Sequence, residues 1–132
     1  MKCRVFVVED HPLMRRSFIE TIQRESDLTV CGEAGDVPEA LAAIASLGPD
    51  LVLTDLRLKS STGLDLIKTL QRISPALPVV ATTLFDVRQA EREARAAGAA
   101  AFLAKQEGPE RLITLIRSIF HPPIQEPGSA GS

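Results

Sequence analysis

The sequence predicts an α/β protein in which parallel strands alternate with crossover helices. Four short apolar runs each end on polar residues, at the point where a strand should become a loop. The runs cover residues 5–8, 51–54, 79–81 and 101–104. Longer stretches with helical periodicity separate them, which is typical of parallel strands joined by helices. Because such strands all end at one edge of the sheet, we expect the polar residues that follow them to share one crevice.

Five helices are predicted from apolar stripes and from start and stop signals. Pro12 suits the first turn of helix one, and Asp36 with Glu39 resembles a capping box at the start of helix two. Thr62 with Asp65 gives the same signal for helix three. The predicted helices cover residues 12–25, 36–47, 62–73, 86–97 and 109–120, and one further strand covers 28–34.

The predicted buried faces of the helices differ in size. Helix three should direct inward Leu66, Ile67, Leu70 and Ile73. Helix four offers only Val87, Ala90, Ala94 and Ala97. Because alanine buries little apolar area, we expect helix four to be the most weakly anchored of the five.

The composition indicates one small domain. The chain has 132 residues, of which 45% are apolar and 24% charged, and its formal charge of −2 gives no basic surface for nucleic acid. We find no secretory signal and no run long enough to cross a membrane, so we expect a cytoplasmic protein without a membrane partner. Cys3 and Cys31 are expected to be buried free thiols. Residues 121–132, rich in Pro, Gly and Ser, predict a tail without a fold of its own.

The polar residues after the strands are those that phosphoryl chemistry needs. The carboxylates of Glu9, Asp10 and Asp55 are hard oxygen ligands suited to Mg²⁺. Lys105 supplies a compact positive charge, and a hydroxyl from residues 82–83 can donate to a phosphoryl oxygen. With Asp55 as nucleophile and Asp10 on the metal, the set predicts a phosphoryl site. The chain contains neither glycine-rich nucleotide-binding motif, which argues against a nucleotide site.

Each of these residues also has a purely structural explanation. An aspartate such as Asp55 often ends a strand as a turn residue, and Glu9-Asp10 could complement a helix N-terminus. Lys105 could be a solvated surface charge. His11 is better explained as a loop residue at a helix entrance than as a metal ligand. What favours a functional site is the coincidence of the right chemical types at four strand ends.

At these residues the chain resembles the receiver domain of two-component response regulators. The resemblance covers residues 3–120 and rests on Glu9-Asp10, Asp55, Gly63, Thr83, Phe102 and Lys105. It implies a flavodoxin-like, doubly wound sheet of five parallel strands in the order 2-1-3-4-5, with five helices, and a receiver domain over residues 1–120. Residues 9–13, 30–34 and 97–99 further resemble the NarL/FixJ branch, whose members usually carry a helix-turn-helix DNA-binding domain after the receiver.

The resemblance also implies a role for each site residue. Asp55 is the phospho-acceptor, a sensor histidine kinase is the phosphoryl donor, and Mg²⁺ is the cofactor. The implied metal ligands are Asp10, Asp55, Glu9 through a water, and the backbone carbonyl of Arg57. The implied phosphoryl-binding residues are Lys105 and Thr83, and the implied switch pair is Thr83 and Phe102. Thr83 takes this role rather than Thr82 because it lies five residues after Pro78.

We therefore predict a phosphorylation-driven switch rather than an enzyme. Phosphorylation should draw Thr83 towards the phosphoryl group, let Phe102 turn inward, and change the surface formed by helix four, strand five and helix five. The expected result is a homodimer, for which helices one and five are an alternative face. The expected output is transcription through a DNA-binding domain that these residues do not contain, with residues 121–132 as a tail or a truncated interdomain linker.

Two other readings remain open at this stage. A Mg²⁺-dependent phosphohydrolase would also use an aspartyl nucleophile, but Arg57 stands where such enzymes have a second aspartate. A receiver-like binding module that is never phosphorylated is the other alternative. If the receiver reading holds, the bulky side chains of Arg57, Leu84 and Phe85 predict a long-lived phosphoryl group.

Overall fold

The structure of the chain is a computed structural model that describes residues 2–58 and 60–120. Its strands are β1 (Cys3–Val8), β2 (Leu28–Ala34), β3 (Leu51–Asp55), β4 (Val79–Thr83) and β5 (Ala101–Ala104). Its helices are α1 (Pro12–Gln23), α2 (Val37–Leu47), α3 (Gly63–Ile73), α4 (Val87–Ala97) and α5 (Pro109–Phe120), with a short 3₁₀ turn at Lys105–Glu107. The predicted tail, residues 121–132, lies outside the described residues.

The five strands form one parallel sheet in the order β2-β1-β3-β4-β5, which confirms the predicted fold. Alternate residues of the central strand β3 face opposite sides: Leu51 and Leu53 pack with α1 and α5, whereas Val52 packs with α2, α3 and α4. The chain order reverses at the centre of the sheet, between β1 and β3. In open sheets of this type, ligands bind outside the strand carboxyl ends at that switch point.

Helices α1 and α3 begin where predicted, and a side chain caps each of them. The His11 side chain accepts from the Met14 backbone N–H through Nδ1 at 3.4 Å, directly before Pro12. The Thr62 hydroxyl accepts from the Asp65 backbone N–H at 3.2 Å.

The capping box predicted for α2 is wrong. Asp36 is the residue before the helix, but its side chain makes no capping bond, and the Glu39 carboxylate accepts from the Gly35 backbone N–H at 2.8 Å instead. The reason is competition: the Asp36 carboxylate accepts hydrogen bonds from the hydroxyls of Ser60 and Ser61. Ser60 and Ser61, which are distant in the sequence, therefore engage the Asp36 carboxylate that the local pattern predicted to cap α2.

The predicted buried faces of α3 and α4 are largely correct. Leu66, Ile67 and Leu70 are buried, but Ile73, which was predicted to face inward, is 57% exposed because it is the last residue of α3 and lies at the open end of the groove beside α2. Along α4 the three alanines are buried and Val87 is partly buried. That α4 is the most weakly anchored helix stays a prediction.

Both cysteines are free, as predicted, although Cys31 is only partly buried. Within residues 2–58 and 60–120, no helix is long and apolar enough to cross a membrane.

Candidate functional site

The carboxyl ends of four strands enclose a cavity of about 280 Å³. Glu9 and Asp10 follow β1, Asp55 is the last residue of β3, Thr83 is the last residue of β4, and Lys105 follows β5. All five line the cavity. The rest of its lining consists of His11, Met14, Arg57, Leu58, Leu84 and Phe85. The structure thus brings together the polar residues predicted from the strand ends, except Thr82, and the implied switch residue Phe102 does not line the cavity either.

Three carboxylates converge in this cavity. One oxygen each from Glu9, Asp10 and Asp55 lie within 4.8 Å of one another. Three carboxylate oxygens at this separation can surround one small cation, and carboxylate oxygens together with water are the ligands that Mg²⁺ prefers. Arg57 lines the same cavity. The donor set fits a hard divalent cation.

Lys105 is the positive charge of the site. Its ammonium Nζ lies 2.8 Å from Glu9 Oε1 and 3.3 Å from Asp55 Oδ2, and its side chain is 6% exposed. It also lies 5.9 Å from the centre of the Phe18 ring on α1. The three carboxylates outnumber the two cationic side chains that line the cavity, Lys105 and Arg57, and this excess of negative charge favours a cation there.

Glu9 is held by protein donors on both of its carboxylate oxygens. Oε1 accepts from Lys105, and Oε2 accepts from the His11 backbone N–H at 3.2 Å. Burial and the nearby charge of Asp55 raise the pKa of Glu9, and the hydrogen bond from Lys105 acts in the opposite direction. A carboxylate with both oxygens engaged is better placed to hold a metal-bound water than to bind the ion directly.

Thr83 and Phe102 lie on neighbouring strands but are in different surroundings. The Thr83 hydroxyl accepts from the Phe85 backbone N–H at 3.4 Å and lies 3.3 Å from the Phe85 carbonyl, so it faces the cavity within a local turn. Phe102 pairs with Ala81 and is 8% exposed, packed among residues that include Ala90 and Ala94. Phe102 already points inward here, so no inward turn is available to it from this state.

Two groups of contacts around the cavity, one made by Arg57 and one by Arg15, were not predicted from the sequence. The Arg57 guanidinium lies 5.2 Å from the centre of the Phe85 ring and 3.9 Å from the Asp86 carboxylate. Arg15 donates to the Glu9 backbone carbonyl at 2.8 Å and to the Glu33 carboxylate at 2.9 Å, and so fixes the end of β1. Both contacts join residues whose proximity depends on tertiary structure, and no local pattern signals them.

The loop between β3 and α3 is tied to the start of α2. The Asp36 carboxylate accepts from the hydroxyls of Ser60 and Ser61 and from the Ser60 backbone N–H, and the Ser61 hydroxyl accepts from the Val37 backbone N–H at 3.2 Å. These hydrogen bonds lower the pKa of Asp36 to about 2. Because the same loop carries Arg57, the network connects that side of the cavity to the start of α2.

Comparison with known proteins agrees with this architecture. The family described as "Response regulator receiver domain" matches residues 5–117. The uncharacterized transcriptional regulatory protein YxjL of Bacillus subtilis (strain 168) is 35% identical over 117 residues, covering 89% of this chain and 54% of YxjL. The nitrate/nitrite response regulator protein NarP of Escherichia coli (strain K12) is 33% identical over 115 residues, covering 87% of this chain and 54% of NarP.

A solved structure of a response regulator has the same fold. A two-component response regulator of the LuxR family from Aurantimonas sp. SI85-9A1 superposes with a TM-score of 0.86 at 25% identity, covering 99% of this chain and 94% of that one. The chain spans about half the length of the curated relatives named above.

The chain belongs to the response regulator receiver family. Within that family, it is a receiver domain of the LuxR/NarL type of two-component regulator.

Proposed function

We propose that this receiver is a phospho-accepting switch, in which a sensor histidine kinase transfers a phosphoryl group to Asp55. An oxygen of the Asp55 carboxylate forms the new O–P bond while the P–N bond of the kinase phosphohistidine breaks, and the imidazole leaves with the bonding electron pair. The observation that carries the proposal is the position of Asp55, which is buried at the end of the central strand, 3.3 Å from Lys105 and inside the acidic cavity.

The cofactor in this proposal is Mg²⁺. The residues that would hold it are Asp10, Asp55, Glu9 through a water, and the backbone carbonyl of Arg57. When bound, the ion neutralises charge on the phosphoryl oxygens. Lys105 supplies the remaining positive charge from the protein, and the Thr83 hydroxyl donates to a phosphoryl oxygen.

The output in this proposal is a change in association. Thr83 and Phe102 couple the phosphoryl group to the surface formed by α4, β5 and α5, which then forms a homodimer or binds a partner. An α1–α5 dimer face is the alternative. YxjL, which is named as a transcriptional regulatory protein, supports transcription as the output, through a DNA-binding domain outside these residues in a cytoplasmic protein.

The domain boundaries are part of the same proposal. We assign residues 1–120 to the receiver and 121–132 to a tail or interdomain linker. The family match from 5 to 117 supports the first assignment.

An enzymatic function is the second candidate, because two relatives carry the name of an enzyme. The protein-glutamate methylesterase/protein-glutamine glutaminase 3 of Anaeromyxobacter dehalogenans (strain 2CP-C) is 32% identical over 127 residues, but this chain covers only 37% of it. A phosphohydrolase activity of the receiver itself would need a second acid/base carboxylate, and Arg57 stands at the corresponding position. Absence of turnover on a phosphate monoester would distinguish the switch from the hydrolase.

The acceptor assignment is tested by intact mass after incubation with acetyl phosphate and Mg²⁺. The wild type should gain the mass of one phosphoryl group, and Asp55→Asn should gain none. Asp65→Asn, the same change at an exposed carboxylate on α3, should behave like the wild type. A phosphoryl adduct on Asp55→Asn would show that another residue is the acceptor.

A further inference from the structure

The hydroxyl of Thr82 is buried without a hydrogen-bond partner among the described residues. Thr82 is 0% exposed, and its Oγ1 is the one buried side-chain polar atom of residues 2–58 and 60–120 that lacks a partner. A buried hydroxyl in this condition loses its hydration without compensation, so an apolar side chain of the same shape would suit the site better. Buried polar groups without partners are expected mainly at functional sites.

The register of the sheet places this hydroxyl beside the acceptor. Thr82 on β4 pairs with Asp55 on β3 and with Leu103 on β5. Residues paired across parallel strands project to the same face, and Leu103 belongs to the face covered by α1 and α5. Thr82 therefore shares that face with Asp55.

Thr82 and Thr83 approach the site from opposite sides. Consecutive strand residues project to opposite faces, so Thr83 lies on the face covered by α3 and α4. Its hydroxyl already has partners in the Phe85 backbone and borders the cavity. The Thr82 hydroxyl, in contrast, has no hydrogen-bond partner among the described residues of the unmodified protein.

Asp55 also has few partners in this state. Its carboxylate is buried, and the donor recorded for it among the described residues is the Lys105 ammonium at 3.3 Å, which is closer to Glu9 at 2.8 Å. A phosphoryl group on Asp55 brings new anionic oxygens that attract Lys105 outward. The Asp55 carboxylate oxygen then loses its contact with Lys105. The Thr82 side chain, paired with Asp55 across β3 and β4, carries the hydroxyl on the same face of the sheet.

We propose that Thr82 is a positioning residue for the phosphorylated state: its hydroxyl donates to an oxygen of the modified Asp55 side chain once Lys105 has turned to the phosphoryl group. This inference rests on the function proposed above. Because the hydrogen bond exists only in the modified state, it lowers the free energy of that state relative to the unmodified one. It makes the acyl phosphate easier to form and slower to lose.

The test compares Thr82→Val, which keeps the shape and removes the hydroxyl, with Thr82→Ser, which keeps the hydroxyl. Thermal unfolding and the Kd for beryllofluoride, a mimic of the phosphoryl group, are measured with Mg²⁺. We expect Thr82→Val to unfold at a higher temperature than wild type without beryllofluoride, yet to bind beryllofluoride about tenfold more weakly. Thr82→Ser should bind it within about threefold of wild type.

The control is Thr54→Val, the same change at a buried threonine of β3 whose hydroxyl is satisfied by the Asp55 backbone carbonyl at 2.9 Å. It should lower the unfolding temperature with and without beryllofluoride alike. If Thr82→Val does not fold, Thr82→Ala provides the same comparison of Kd values.

Three outcomes are separable. Equal beryllofluoride affinity in wild type and Thr82→Val overturns the role of Thr82 and leaves the proposed function standing. A lower unfolding temperature for unliganded Thr82→Val also overturns it, because the hydroxyl then has a partner in the unmodified protein. A wild type that neither binds beryllofluoride nor accepts a phosphoryl group overturns the proposed function and this inference together.

Discussion

Lys105 is the counterion of two buried carboxylates, and this sharing determines how the other charged residues of the site respond. Its ammonium contacts both Glu9 and Asp55, so neither carboxylate has a cation of its own. Asp10 has no such pair with Lys105 and completes the acidic cluster from the more open side. Asp10 can therefore bind a divalent cation without losing an ion pair to Lys105, whereas Glu9 and Asp55 cannot.

The first prediction compares the two acids that follow β1. Asp10→Asn should weaken Mg²⁺ binding about tenfold or more, whereas Glu9→Gln should weaken it less, because both Glu9 oxygens are already engaged by Lys105 and the His11 N–H. Titration of Mg²⁺ by calorimetry measures both. Asp65→Asn is the matched control outside the cavity. Equal Mg²⁺ affinity in wild type and Asp10→Asn would remove Asp10 from the ligand set.

The second prediction concerns access of water to the phosphoryl group. Arg57 and Phe85 stack at the mouth of the cavity, 5.2 Å apart, and are both largely exposed. We expect Arg57→Ser combined with Phe85→Ala to shorten the lifetime of the phosphorylated protein several-fold, because the hydrolytic water then has an open path. Loss of the phosphoryl group is followed by intact mass over time.

Arg95→Ser is the control for this measurement, because it removes an arginine whose partner Glu91 lies on the same helix. An unchanged or longer lifetime of the double variant would show that crowding at the cavity mouth does not limit hydrolysis.

At the scale of elements, local sequence signals predicted the strands and helices correctly where contacts within a segment determine its structure. The four apolar runs and the further strand predicted at 28–34 correspond to the five strands, and Thr62 with Asp65 located the start of α3. They failed where a distant partner intervenes. Asp36 bonds to Ser60 and Ser61 across 24 and 25 residues, so its capping role was predicted wrongly.

For the candidate site as well, some features were predictable from local sequence and others depend on tertiary packing. Strand ends predicted which residues meet in the cavity, since parallel strands share an edge. The missing partner of Thr82 could not be predicted, because it depends on what every neighbouring side chain does. The burial of Phe102 in this state depends likewise on how α4 packs over β5.

The third prediction tests the link between Asp36 and the loop after β3. The pKa of Asp36 is lowered to about 2, so its charged form stabilises the fold above the unfolded value of 3.8, and this contribution is lost as the pH falls towards 2. The difference in unfolding temperature between wild type and Asp36→Asn should therefore be constant above about pH 5 and shrink between about pH 4 and pH 2. Circular dichroism melts measure it.

The control for this prediction is the Ser60→Ala, Ser61→Ala double variant, which removes both hydroxyl donors. In that background Asp36→Asn should change the unfolding temperature little at any pH. A difference of the same size and pH dependence there would mean that Asp36 acts through another contact.

At the scale of the whole molecule, the site and the proposed output surface are joined by a short path. Thr83 ends β4 beside the cavity, and Phe102 on β5 packs under the alanines of α4. In the switch proposed above, a displacement of Thr83 would be taken up by α4 or by the loop before it, because Phe102 is already buried and its ring has no inward turn to make. Asp86, just before α4, has a left-handed backbone with φ of 49°, which is uncommon for a residue other than glycine. We expect that loop to absorb the rearrangement.

The last prediction tests whether the Thr83 hydroxyl carries this coupling. Beryllofluoride with Mg²⁺ should raise the dimer population of the wild type, measured by sedimentation equilibrium, because the modified state favours the altered α4–β5–α5 surface. A coupling of about 1–2 kcal/mol corresponds to a change of about five- to thirtyfold in the dimerisation constant. Thr83→Ala should lose most of that change while Asp55 still becomes phosphorylated by acetyl phosphate, since the hydroxyl takes no part in forming the O–P bond. Thr29→Ala is the matched control, because Thr29 lies on β2 at the edge of the sheet opposite β5 and its hydroxyl donates to Gln23 at 3.2 Å. A Thr83→Ala variant that dimerises as strongly as wild type would mean that phosphorylation reaches the surface by another route, such as α1 and α5.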